Sequence, residues 1–377
     1  MQKKIQSGRE DHQLDIKEHK EYYGYFLIAF SVLILYIFSI PISRRFNETF
    51  VPTGDAFSYT LNFFMLLDLS HTSYWPTILQ ILSGHGNGWY WLIQLVAAFF
   101  SPILFKEPYS VALVNFILFG MATASIFRLA RYLKFGVAAA FILSVMFWLY
   151  PYHYGYSTPV SLLMMQLDTA FLAILTIAAA NTIIYAIDIK RTQNALLAGI
   201  FIGLAVWGRG NSLPYILILL SCPSIFIFYK LWISARERKK KLVFNFISFV
   251  FIVLAMCAWF YFCNWLAIKQ YYADVPAVID FSKMPIKNII SNLITYPGMF
   301  FSRRICELPR PNPLETAVVT LVLHCIMLLA LFITFRRNKN IEVSIRDALK
   351  IIAATGAVIY YGIYLYNSLF FSAPALM

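Results

Sequence analysis

Long apolar stretches separated by short charged segments dominate the sequence. Several of these stretches reach the roughly 17–25 residues that an α-helix needs to cross the hydrocarbon core of a membrane. Backbone polar groups inside a membrane are satisfied most easily within a helix, and the length of the runs excludes a β-barrel. The pattern therefore predicts an all-α, polytopic membrane protein with about nine transmembrane helices.

The individual spans follow from the same pattern. They are predicted at residues 25–40, 109–130, 137–150, 168–187, 242–266, 316–335 and 348–370, with two short crossings within 195–228. The stretch 195–228 is too long for one span and is broken by a polar segment around Arg209, so a helical hairpin is predicted there. The hairpin keeps the following basic run, residues 236–241, in the cytoplasm, as the positive-inside rule requires.

Two polar intervals are predicted to face the other side of the membrane. Residues 41–108 form the first outer loop, and residues 267–314 form the second. Within the first loop, residues 89–105 are rich in Trp and Phe and are predicted to form an interfacial or re-entrant helix. Counting that helix as a crossing would place the basic end of the next span outside, against the positive-inside rule. The chain is thus expected to have a cytoplasmic tail, residues 1–23, and one transmembrane domain, residues 24–377.

Composition agrees with a multi-pass integral membrane protein. The chain of 377 residues is 60% hydrophobic and only 13% charged, with a mean hydropathy of +0.67. Its net charge of +13 is explained by cytoplasmic loops rather than by nucleic acid. Four of the five cysteines lie in apolar runs, so no disulfide framework is predicted.

The first outer loop carries a candidate catalytic carboxylate, Asp55. Asp55, Ser58, Tyr59 and Asn62 are spaced so that they share one face of a short amphipathic helix. Spacing alone leaves Asp55 equally explained as a helix cap or as a general base. Asp68 lies thirteen residues further and is expected on the far side of that helix, where Asp68 and a histidine three residues later make only a weak metal-binding pair.

Asp168 marks the outer end of a predicted span. It can be read as a cap at the start of a helix, or as a second acid that handles a metal or a proton in the same outer cavity as Asp55. Arg209, Arg303 and Arg304 lie in outer segments, and the planar guanidinium group is suited to binding two phosphate oxygens at once. Snorkelling to lipid headgroups explains these arginines equally well.

Two further residues, Tyr59 and His85, are candidates for lining a substrate pocket in the first outer loop. Neither lies in a zinc-binding motif, and His85 is also explained as an ordinary loop histidine. The sequence has no phosphate-binding glycine loop, no nucleophile elbow and no ATP-binding signature. Chemistry that depends on ATP is therefore not expected.

Four local features together resemble the GT-C class of integral-membrane glycosyltransferases, in particular the family of protein O-mannosyltransferases and the aminoarabinose transferase of lipid A. The first is the acid and aromatic motif of the first outer loop, Gly54-Asp55-Ala56-Phe57-Ser58-Tyr59, and the second is the interfacial helix at residues 89–105. The third is the start of the fourth span, Leu167-Asp168-Thr169-Ala170-Phe171, and the fourth is the hairpin sequence at residues 199–209. The resemblance covers the chain as far as about residue 230. It rests on the order of the motifs and on the side of the membrane on which each is predicted.

This resemblance implies transfer of a sugar from a polyprenyl-phosphate-linked donor to a lipid, glycan or protein acceptor. The reaction is expected on the outer face of a bacterial plasma membrane, as part of building the cell envelope. Asp55 would be the catalytic carboxylate with Asp168 as a supporting acid, and Arg209, Arg303 and Arg304 would bind the donor phosphate. No cofactor is certain; a divalent metal held by Asp55 and Asp168 stays open, because many relatives carry two adjacent acids where this chain has Gly54-Asp55-Ala56.

Two other classes of function remain as alternatives. A transporter or flippase for a lipid-linked or anionic substrate would use Asp168 and Arg209 to line a pathway. It would also need polar residues deep in the spans, where Asn181 and His324 are among the few. A polysaccharide polymerase or ligase would instead depend on Arg303 and Arg304 of the second outer loop, with Asp55 dispensable.

Overall fold

The computed structural model describes residues 21–41, 55–85, 91–104, 108–149, 167–209, 212–233, 236–274 and 347–358, with scattered helical residues between 318 and 332. Every regular secondary-structure element in these ranges is helical, which confirms the predicted all-α class for the described part of the chain. The predicted spans 316–335 and 348–370 lie partly outside the described residues, as do most of the second outer loop and the segments 42–54, 86–90 and 105–107 of the first.

Ten α-helices lie in the described ranges up to residue 274. In order they are α1 Glu21–Pro41, α2 Asp55–Thr72, α3 Tyr74–Gln80, α4 Trp91–Phe100, α5 Pro108–Tyr132, α6 Val137–Val145, α7 Leu167–Ile187, α8 Thr192–Gly208, α9 Leu213–Ile233 and α10 Arg236–Asp274. A π turn, Ile81–His85, follows α3 directly, and single 3₁₀ turns extend α4 and α6. Residues 347–358 are also helical.

Five helices are long and apolar enough to cross a membrane within the part of the chain that the structure describes. They are α1, α9 and the apolar parts of α5, α7 and α10, namely Ala112–Tyr132, Ala170–Ile187 and Lys239–Leu266. These helices support an integral membrane protein. The apolar helix α8, Thr192–Gly208, is shorter, and the described helical run at 137–149 is shorter than the span predicted at 137–150.

The break predicted inside the stretch 195–228 is present, because α8 ends at Gly208 and α9 begins at Leu213. The predicted interfacial helix is also present as α4 and its 3₁₀ turn, which together cover only Trp91–Ile103. Its helix α4 buries Trp91, Leu92 and Ile93 completely or almost completely against protein. One face of this helix is therefore part of the protein core, as a re-entrant helix requires.

The long helices run in alternating directions between two ends of a bundle. Side-chain contacts define one end, where Arg128 on α5 reaches Asn181 on α7 and Asn194 on α8. At the opposite end, Gly208 at the end of α8 lies against Phe171 near the start of α7. We call these the Arg128 end and the Arg209 end.

Helices α8 and α10 pack closely because two glycines of α8 face α10. A Cβ atom added at Gly199 would lie 3.1 Å from Ile252 and 3.2 Å from the carbonyl oxygen of Phe249. A Cβ atom at Gly203 would clash with the side chain of Met256. Glycines spaced four residues apart let two membrane helices approach at backbone distance, so this pair sets the position of α10 beside α8.

Helices α2, α3 and α4 form an insert between α1 and α5. Tyr36, near the end of α1, packs on Phe116, whereas Tyr25, near its start, packs on Phe127. Thus α1 runs antiparallel to α5, and the end of α1 and the start of α5 both lie at the Arg209 end. The insert leaves the bundle and returns to it at that end.

Candidate functional site

Arg209 terminates α8 at the Arg209 end. Its backbone is extended, with φ −159° and ψ 134°, and its carbonyl oxygen accepts a hydrogen bond of 3.0 Å from the amide of Ser212. The Arg209 side chain is half-buried. The residue before it, Gly208, is fully enclosed because a Cβ atom there would lie 3.2 Å from Ile174 and 3.3 Å from Phe171. A larger residue at 208 would require the side chains of Ile174 and Phe171 to move by a few tenths of an ångström.

Asp168 is the second residue of α7, one helical turn before Phe171. Since Phe171 lies against Gly208, the chain at Asp168 and the chain at Arg209 meet at the same end of the bundle. The backbones of these two residues lie at one end of the bundle; that this end faces one predicted side of the membrane stays a prediction. The side chain of Asp168 lies outside the described residues.

Helix α9 begins beside them. The rings of Phe171 and Tyr215, each in the first two turns of its helix, are in edge contact with centroids 5.8 Å apart. Two helix N-termini, of α7 and of α9, therefore lie near Arg209. The partial positive charge of a helix N-terminus favours an anion, and together with the guanidinium of Arg209 it makes this end suited to negative charge.

The insert contacts this end through Trp91. The ring of Trp91 lies 5.0 Å from that of Trp207 and 5.6 Å from that of Phe260, measured between centroids. Its neighbour Leu92 lies 3.9 Å from the position of a Cβ atom at Gly208. The insert thus packs on the two residues that directly precede Arg209.

Three predicted site residues, Asp55, Tyr59 and His85, belong to this insert. Asp55 is the first residue of α2, Tyr59 lies in its second turn, and His85 is the last residue of the π turn. The side chains of Asp55, Tyr59 and His85 lie outside the described residues, as do all of Arg303 and Arg304. A helix is present from Asp55 and continues to Thr72, and three of the four side chains whose spacing predicted a polar face lie outside the described residues.

His71, which the sequence paired with Asp68 as a weak metal-binding candidate, has a structural role. Nε2 of His71 lies 2.8 Å from the carbonyl oxygen of Ser101, which can only accept a hydrogen, so this nitrogen is a donor. His71 therefore joins the end of α2 to the 3₁₀ turn after α4. Within the described residues no group of three or more metal-ligating side chains occurs.

A polar cluster at the Arg128 end was not predicted from the sequence. Arg128 donates hydrogen bonds of 2.7 Å to Oδ1 of Asn181 and to Oδ1 of Asn194. Tyr132 lies under the guanidinium group, 5.7 Å from its centre to the ring centroid, and its hydroxyl also bonds Asn194. The cluster ties α5, α7 and α8 together.

A second group of side chains fixes the turn between α7 and α8. Lys230 on α9 donates to the carbonyl oxygens of Ala186 and Ile187, both at 2.7 Å. Asn245 on α10 donates to the carbonyl oxygen of Ile189 at 2.9 Å and accepts from Thr192. These bonds satisfy carbonyls that the end of α7 leaves open.

The chain matches no protein-family model, and no curated protein and no solved structure is similar to it at a significant level.

Proposed function

We propose that the protein is a membrane glycosyltransferase that uses a polyprenyl-phosphate-linked sugar donor, with its site at the Arg209 end. One observation carries this proposal: the first turn of α7, which bears Asp168, and the end of α8, which bears Arg209, meet at one end of the bundle, and the insert whose sequence includes Asp55 and His85 packs on that end through Trp91. The resemblance to GT-C transferases implies that these same elements lie on one side of the membrane.

The charge distribution supports an outward-facing site. Within the described helices, the Arg128 end carries the basic termini of α5 and α9 and the basic start of α10, Arg236–Lys241. The Arg209 end is much poorer in lysine and arginine. Because cytoplasmic segments are enriched in basic residues, this asymmetry favours the Arg128 end in the cytoplasm and the Arg209 end outside.

The proposed chemistry is a displacement at the anomeric carbon. The acceptor hydroxyl oxygen attacks that carbon, the bond from the carbon to the phosphate oxygen breaks, and the carboxylate of Asp55 takes the hydroxyl proton. The electron pair of the broken bond leaves with the polyprenyl phosphate. Arg209 and the N-termini of α7 and α9 favour this departing negative charge. Asp168 is the supporting acid, and Arg303 and Arg304 are further candidates for binding the phosphate.

The test is sugar transfer by membranes that contain the full chain, with radiolabelled polyprenyl-phosphate sugars as donors. Replacing Asp55→Asn keeps the size of the side chain and removes the base, so we expect turnover to fall about 100-fold or more. The matched control is Asp68→Asn, since Asp68 is an exposed acid of the same helix and should tolerate the change.

Other outcomes separate the rival functions. Full turnover by a folded Asp55→Asn protein would remove Asp55 as the base. Loss of turnover in the Arg303 and Arg304 variants alone, with Asp55 dispensable, would favour a polymerase or ligase. Donor lipid that crosses the membrane unchanged, without transfer, would identify a flippase.

A further inference from the structure

Three tryptophan side chains form a connected set at the Arg209 end, and each donates its indole hydrogen to a backbone carbonyl. Trp207 on α8 donates to Met256 on α10 over 3.0 Å, and Trp259 on α10 donates to Leu82 over 2.9 Å. Trp91 on α4 donates to the carbonyl oxygen of Ile81. We call Trp91, Trp207 and Trp259 the tryptophan brace.

The brace holds a single irregular turn. Both Ile81 and Leu82 belong to the π turn that ends at His85, and they accept from two different helices, α4 and α10. A π turn is less stable than an α-helical turn and occurs often at functional sites. Two indole donors on consecutive carbonyls therefore keep this turn in one conformation.

The brace also connects this turn to Arg209. The fully buried ring of Trp91 contacts the ring of Trp207, which lies two residues before Arg209 in the chain. Each indole bond is a contact between different elements, so the end of α8, the middle of α10 and the π turn are held in one arrangement. A displacement of the turn would be transmitted to the residues beside Arg209.

We infer that Trp259 is a positioning residue, which acts by holding the π turn that bears His85 in place for a polyprenyl-phosphate ligand at the Arg209 end. This inference rests on the proposed function for the identity of the ligand, but not for the brace itself. Trp259 suits a test because it is 46% exposed, so its replacement leaves no cavity in the core. Its bond to Leu82 links elements far apart in the sequence.

The experiment compares Trp259→Phe with Trp265→Phe in the purified full-length protein. Phenylalanine keeps an aromatic ring but cannot donate the hydrogen bond. Trp265 lies on the same helix and is 59% exposed, which makes it the matched control. Hydrogen exchange of the amides in residues 81–85 should be about fivefold faster in Trp259→Phe and unchanged in Trp265→Phe. Unchanged exchange in Trp259→Phe, or equal acceleration in both variants, would overturn the brace.

A second measurement tests the role in binding, with polyprenyl phosphate lacking a sugar as the probe. The dissociation constant of the Trp259→Phe protein should rise about fivefold relative to wild type and to Trp265→Phe. Faster exchange with unchanged affinity would overturn the positioning role. Failure of the wild-type protein to bind polyprenyl phosphate would instead contradict the proposed function, while the exchange result would still decide whether the brace exists.

Discussion

The contact between Arg128 and Asn181 predicts a measurable coupling between α5 and α7. Arg128→Met removes the guanidinium group and keeps much of the apolar stem, and Asn181→Leu removes the acceptor while keeping the side-chain volume. Each single change breaks the 2.7 Å bond, but the double variant breaks it only once. The difference between the sum of the single effects and the double effect isolates this contact.

The magnitude follows from the geometry. Hydrogen bonds between helices in a membrane average about 0.6 kcal/mol and reach about 1.7 kcal/mol. This bond is short and involves a charged donor, and such bonds are roughly twice as strong as neutral ones. We expect a coupling of about 1.5 kcal/mol in the free energy of unfolding. Arg128→Met alone should lose about 3 kcal/mol, because its second bond, to Asn194, is lost as well.

The assay is reversible unfolding of the four proteins of this cycle in lipid bicelles. A control cycle pairs Arg131→Met with Asn181→Leu. Arg131 bonds Glu21 over 2.9 Å on the outside of the bundle, so its coupling to Asn181 should stay below about 0.5 kcal/mol. An equally small coupling in the Arg128 cycle would show that the polar cluster does not join these helices, and the packing of α7 between α5 and α8 would need revision.

Two further predictions concern packing and binding. Gly203→Ala should lower the free energy of unfolding by about 1–3 kcal/mol, since the new methyl group meets Met256. Gly136 has open space around it, so Gly136→Ala should change that free energy by less than about 0.5 kcal/mol. Equal effects of the two changes would refute the close contact of α8 and α10. Arg209→Lys should weaken binding of polyprenyl phosphate about tenfold, because a lysine cannot bond two phosphate oxygens in the same plane. Lys269 is an exposed cation on α10, and Lys269→Gln should leave the affinity unchanged. Full affinity in Arg209→Lys would show that Arg209 is not a bidentate ligand of the phosphate.

Much of the helical pattern was predictable from the sequence because it depends on local composition. The polar residues around Arg209 interrupt an apolar stretch that is too long for one span, and the structure has a helix on either side of them. The spacing of polar residues from Asp55 likewise predicted a helix. The observed helix is longer than that polar pattern, because it continues through hydrophobic residues to Thr72. The π turn at Ile81–His85 was not predicted, since its conformation depends on indole donors from α4 and α10.

Contacts between helices were harder to predict. Arg128 ends an apolar span, where an arginine usually extends to the membrane surface, and nothing local indicates that Asn194, 66 residues away, would bond it. Gly199 and Gly203 formed part of the motif that suggested a family, and the structure gives both a packing role against α10. A sequence pattern shows that a helix has a small-residue face, but not which helix will cover it.

In the proposed function Asp55 and Asp168 serve one site at the Arg209 end, and crosslinking measures directly whether the two positions lie close together. Cysteines would replace both residues in a protein whose native cysteines are changed to serine. The protein would then be treated with a bifunctional reagent that spans about 10 Å, which is slightly longer than the distance between two carboxylates that act through a bridging water. We predict efficient crosslinking between positions 55 and 168, and none between 68 and 168. No crosslink between 55 and 168 in a folded protein, with efficient crosslinking between 68 and 168, would contradict the shared site.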